Sequence, residues 1–157
     1  MKNLLNIRAM VITSVLLLTA ISVSAVERPF AMDGNGLASF ILNDAGEPTG
    51  ATITASGNAT HLGLASYAGT LKFTRNDSDP TVSQVTGDGV FTASNGDQLS
   101  GVLEDATVSF STGLGQGKLR IISGTGRFAN ASGLINLVVV QSPTGAFTFT
   151  MVGSIDY

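Results

Sequence analysis

Phe147-Thr148-Phe149-Thr150-Met151-Val152-Gly153-Ser154-Ile155-Asp156 alternates apolar side chains with hydroxyl residues almost to the end of the chain. Successive side chains of a β-strand point to opposite faces. Phe147, Phe149, Met151, Gly153 and Ile155 therefore share one face, and Thr148, Thr150, Ser154 and Asp156 share the other. Such a segment buries one side and wets the other. Upstream, Leu71 and Phe73 stand opposite Thr70, Lys72 and Thr74 in the same way, and Val102, Ala106, Val108 and Phe110 are expected on one face of the stretch from Gln98 to Ser111. Leu134 to Val140 is apolar almost throughout. Both its faces are expected to be covered, one by the interior and the other by another subunit.

Turn-forming residues punctuate these runs: Asp33 to Gly36, Asp44-Ala45-Gly46, Asn76 to Pro80, Asp88-Gly89, Asn95-Gly96-Asp97, Gly113 to Gly117 and Ser142 to Gly145. The spacing predicts about eight strands and no helix of useful length. Asn95-Gly96 is the sharpest hairpin signal and predicts a type I′ turn, with positive φ at both residues. Gly69, Gly87, Gly101 and Gly153 fall inside strands, where bulges and sharp bends are expected. Eight antiparallel strands laid flat leave two unpaired edges, and closure removes both. The fold expected is therefore all-β, a single antiparallel barrel in preference to a sandwich.

Composition narrows the function. The 157 residues include no Cys and no Trp, one His, and only 12% charged residues, with 43% hydrophobic. Disulfide scaffolds and zinc–thiolate sites are excluded, and a chain this apolar can bury enough surface to fold. Lys2 and Arg8 precede an uncharged apolar run from Ala9 to Ile21, followed by small residues ending at Ala25. This is the pattern of an export signal over residues 1–25, and the run is too short for the ~20 residues that a membrane helix needs. Residues 26–157 then form one domain, secreted or periplasmic. It retains 6 of the 8 basic residues and all 11 acidic ones, a net charge of −5. No basic stripe is present, so nucleic acid is not an expected partner. An outer-membrane barrel would need aromatic girdles, which no Trp and two Tyr cannot build. No membrane span is expected after the signal.

Few residues can carry acid–base chemistry. His61 is the one side chain that titrates near neutral pH without perturbation. A structural ring bonded to nearby backbone is the expected role. Glu104 and Asp105 are adjacent, so only one can face inward; in phase with Val102, Ala106 and Val108, that one is Glu104, unless a bulge reverses the alternation. Its plainer role is to pair with Arg120 or Lys118 at a rim. Arg120 lies between Leu119 and Ile121, facing either solvent or the interior. Gly113, Gly115 and Gly117 precede no helix, so they form a turn and not a phosphate cradle. Asp77 with Asp79, or Asp33 with Asn35, offers too few oxygens at regular spacing for calcium. No metal or cofactor is expected, and His61, Glu104 and Arg120 remain weak catalytic candidates.

Gly124-Thr125-Gly126-Arg127-Phe128-Ala129-Asn130-Ala131-Ser132-Gly133 resembles the G-x-G-x-F-x-x-A-x-G element of the allene oxide cyclase and dirigent barrels, followed, as there, by two final strands. Gly57-Asn58-Ala59-Thr60-His61-Leu62-Gly63 is similar to a segment of their secreted bacterial relatives. The resemblance implies an eight-stranded barrel, often a homotrimer, whose interior holds a small hydrophobic molecule. In the plant families that pocket guides a cyclisation or a radical coupling. Dirigent proteins usually carry arginines where this chain has Ala129 and Ser132, and the cyclases favour a Glu and an aromatic residue there. No catalytic residue is carried over. The expected function is binding of a small hydrophobic ligand in the barrel, with an isomerase or cyclase acting there as the alternative.

Overall fold

The computed structural model describes residues 26–157, so the expected export signal lies outside the described residues. Eight strands follow in order: β1 (Glu27–Leu42), β2 (Pro48–Ala59), β3 (Gly63–Arg75), β4 (Ser83–Ala93), β5 (Gln98–Ser109), β6 (Leu114–Gly124), β7 (Ser132–Gln141) and β8 (Ala146–Asp156). Each pairs antiparallel with its neighbours in sequence, and β1 closes on β8 from Glu27↔Asp156 to Leu37↔Ala146. The result is a closed barrel and not a sandwich. Among the described residues the only helical turn is a short 3-10 segment, Gly126–Phe128.

Alternation turns one row of each strand inward. On β8 Phe147, Phe149, Met151 and Ile155 are buried, while Thr148, Thr150 and Val152 are exposed. An eight-stranded barrel is just wide enough for its own side chains, so large residues need small ones beside them. Glycines supply that room. A Cβ on Gly36 would lie 2.5 Å from the Phe147 ring, and one on Gly34 would lie 2.7 Å from the Phe149 ring. Gly87 and Gly101 sit at register shifts, as expected of strand glycines, whereas Gly69 and Gly153 lie in regular pairing and yield space to neighbours. The outer face carries Lys72, Asp88, Glu104, Lys118 and Arg120 among hydroxyl residues, and the inner face is apolar.

The hairpin loops repeat one design. Gly46, Gly96 and Gly145 each donate a backbone hydrogen bond to the carbonyl three residues back, and each has φ between 79° and 89°. This is a three-residue loop, a type I turn closed by a left-handed glycine. Asn95 is therefore not in the positive-φ conformation that a type I′ turn requires; instead its Oδ1 accepts from the Asp97 N–H at 3.1 Å. One side-chain hydrogen bond replaces the second left-handed residue.

The two ends differ. At one, the glycine element folds under the barrel: Phe128 is fully buried and Ala131 is nearly so. Phe30, Leu99, Ile121, Ile135 and Ile155 complete this buried end. Arg127 ties the loops here together, donating to the His61 carbonyl, standing 3.7 Å from the Asp97 carboxylate, and lying over the Phe128 ring. The opposite end carries the β1–β2, β3–β4, β5–β6 and β7–β8 loops and is not plugged.

Candidate functional site

Toward the unplugged end the inward rows leave a cavity of about 110 Å³. Its floor is set by Tyr67, Leu119, Phe149 and Met151, and its walls by residues such as Leu71, Leu103 and Val139. Phe40, Phe73 and Phe110 pack ring against ring near the mouth, with centres 5.2 to 6.2 Å apart. Among the described residues no charged side chain lines the cavity; its polar side chains are Tyr67, Thr107, Gln116 and Gln141. A concave apolar site with a few polar groups is the usual form of a small-molecule pocket.

Tyr67 is the least expected member. It continues the inward row of β3 between Ala65 and Gly69, is 9% exposed, and packs at 4.8 Å between ring centres against Phe91. Its hydroxyl lies over Gly69 on its own strand and Gly89 on the neighbouring β4, where a Cβ on Gly69 would lie 2.7 Å from Oη. Burial, reinforced by the Asp88 carboxylate on β4, pushes the phenol up to about 12. The folded value lies above the ordinary one near 10, so the linked stability is complete below about pH 10 and is lost as pH rises through about 12. Absorbance titration is expected to show this phenol ionising near pH 12, in a step missing from Tyr67→Phe. An ordinary titration that disappears in the same variant would place Oη in water.

The three catalytic candidates do not meet in this cavity. Asp105 adopts φ 49°, and the β5–β6 register shifts between Glu104 and Thr107. This bulge reverses the alternation along β5: Leu99, Gly101 and Leu103 face inward before it, and Ala106 faces inward after it. The expectation that Val102 and Glu104 share the inner face with Ala106 is corrected accordingly. Glu104 lies outside, where Arg120 grips it with two hydrogen bonds of 2.6 and 2.8 Å. The Arg120 hydrogen bond holds the Glu104 carboxyl below the usual range. Lys118 pairs beside them with Asp105 at 3.2 Å. Both pairs are solvent-facing, so Glu104→Gln is expected to leave binding in the barrel unchanged; a loss of binding would tie this outer pair to the cavity.

His61 sits at the plugged end with φ 68°. Its Nε2 donates to the Pro29 carbonyl at 3.0 Å, and its ring stands edge-on to Tyr157 at 5.7 Å. The backbone-bonded position matches the structural role expected for it. In the loops, Asp79 accepts from the Thr81 N–H and hydroxyl at 3.0 and 2.6 Å, which holds its carboxyl low, so its oxygens shape a turn. Asp33 and Asn35 lie on the outward row of β1.

No protein-family model matches the chain. No curated protein matches it either. Among solved structures, it is similar to the pterocarpan synthase dirigent protein GePTS1, at 15% identity and a TM-score of 0.49, over 85% of this chain and 88% of that chain.

Proposed function

We propose that this protein is an exported barrel that holds one small hydrophobic molecule in its lumen. The observation that carries the reading is the cavity itself: its walls are apolar, it is open at one end, and its lining has no charged group. Burial of a ligand's apolar surface there contributes roughly 25 cal/mol per Å² before the costs of association. His61, Glu104 and Arg120 lie apart from it, so binding, and not acid–base turnover, is the chemistry the arrangement supports.

Alternation within one strand supplies the test. Val139 lines the cavity, and Val138 faces outward. A neutral apolar fluorophore such as 1-aminoanthracene is expected to brighten on binding the wild-type protein. Val139→Phe, which fills the lumen, should weaken binding tenfold or more, an effect of about 1.4 kcal/mol. Val138→Phe should leave it unchanged. Equal binding by all three proteins, or no binding by the wild type, would set the reading aside.

We also propose that the barrel associates with copies of itself, as in the homotrimer that the resemblance implies. The outer face of β7, β8 and β1 exposes Val138, Val140, Val152 and Leu37. Over the outward positions from Leu134 to Val140, Thr148 to Val152 and Ala31 to Leu37, Asp33 is the single charge. Residues 26–157 carry a net charge of −5, so copies repel least where this nearly uncharged face meets itself. Light scattering is expected to give a multiple of the monomer mass for the wild type and the monomer mass for Val138→Asp. A wild-type monomer would contradict it.

A further inference from the structure

We propose that the Tyr67 hydroxyl is a specificity-determining hydrogen-bond donor at the cavity floor, selecting a neutral apolar ligand that carries a carbonyl oxygen over a hydrocarbon or a carboxylate of the same shape. This rests on the lumen being a ligand site.

Three observations converge on that group. Tyr67 lines the cavity while the rest of its side chain is buried in the core. Among the described residues its Oη makes no hydrogen bond, and the buried side-chain oxygen left without a partner is Asp156 Oδ1, so the phenol oxygen keeps surface open toward the cavity, where a ligand that displaces water must replace its hydrogen bond. The barrel also makes room for it: Gly69 and Gly89 face the phenol tip, and a side chain at either would displace it. A phenylalanine would fill the same apolar space without leaving an orphan donor. The hydroxyl thus has no structural partner and one face toward the cavity.

Charge decides which ligands suit it. The phenol stays protonated through the physiological range and offers its proton. An acceptor oxygen on the ligand completes that bond. A carboxylate would also accept, but it would leave water for a cavity whose lining has no cation, with Asp88 close enough to act on the same phenol. A hydrocarbon avoids that cost and leaves the donor unmet. A neutral ketone or ester satisfies both conditions.

Three probes of nearly equal shape test this with the intact protein: 2-acetylnaphthalene, 2-isopropylnaphthalene and 2-naphthoate. Calorimetry on the wild type is expected to show about tenfold tighter binding of the ketone than of the hydrocarbon, and the weakest binding for the carboxylate. Tyr67→Phe should lose the ketone preference while keeping the hydrocarbon affinity. The bound ketone's carbonyl stretch should be lowered in the wild type and restored in the variant. Hydrocarbon binding without a ketone preference, or a preference that survives in Tyr67→Phe, overturns the assignment of Tyr67 and leaves the lumen reading standing. Failure of all three probes to bind the wild type overturns both.

Discussion

Phe128→Ala is expected to lower the midpoint of thermal unfolding by roughly 10–20 °C, the largest effect of any single substitution considered for this protein. The ring is fully buried under the barrel, packs at 4.8 Å against Tyr157, and belongs to the same apolar cluster as Phe30 and Ile155. Truncation removes its transfer free energy and leaves a void that closed strands cannot collapse around, a combined cost of about 3–5 kcal/mol. The Arg127 guanidinium lying over the ring loses its platform as well. Calorimetry of the wild type and the variant measures the difference. A shift of only a few degrees would mean that the plugged end contributes little to holding the barrel together.

Gly126→Val ranks second and is expected to destabilise more than His61→Ala. Gly126 has φ 57°, a conformation that a β-branched residue adopts only with strain, and a Cβ there would overlap the Asp97 carboxylate. That carboxylate also accepts from Asn95 Nδ2 at 2.9 Å and faces Arg127, so displacing it loosens two loops together. The expected loss is about 3 kcal/mol. His61→Ala removes one hydrogen bond to Pro29 and an edge-on contact with Tyr157, at a cost of about 1 kcal/mol. Denaturant melts of the two variants give the comparison directly. Equal midpoints would count against the structural role assigned to the glycine element.

Where the alternation of the sequence runs unbroken, it maps onto the barrel without loss. Phe147, Phe149, Met151 and Ile155 face inward as their spacing requires, and so do Leu71 and Phe73. The glycine element was legible for a different reason: Phe128 is the one large apolar residue of a connection otherwise made of small and polar ones, and it is buried together with Ala131. Alternation fails at β5, because one bulge at Asp105 inverts the phase of every residue beyond it. Asp tolerates positive φ better than most residues, yet Glu104-Asp105 alone does not announce which of many such sites will bulge. The same limit applies to Asn95, whose side-chain bond to Asp97 stands in for a left-handed backbone.

The site was less legible than the fold. Tyr67 lies in a readable inward row with Ala65, Leu71 and Phe73. What marks it as functional is the space that Gly69 and Gly89 leave around its hydroxyl, and Gly89 is placed opposite Gly69 by strand register. A single sequence carries no record of that pairing. His61, Glu104 and Arg120 drew attention as the ionisable residues, and closure of the barrel put them at its plugged end and outer face. Titratable chemistry and cavity geometry are separate properties here.

Methyl-resolved NMR of the protein titrated with 2-acetylnaphthalene tests the lumen most directly, because β7 presents neighbouring residues to opposite sides. The predicted result is a saturable shift of the Leu71, Leu103, Leu137 and Val139 methyls, which line the cavity, with Val138 and Val140 on the outer face unmoved. Shifts confined to Val138 and Val140, or spread equally over both sets, would contradict a ligand inside the barrel.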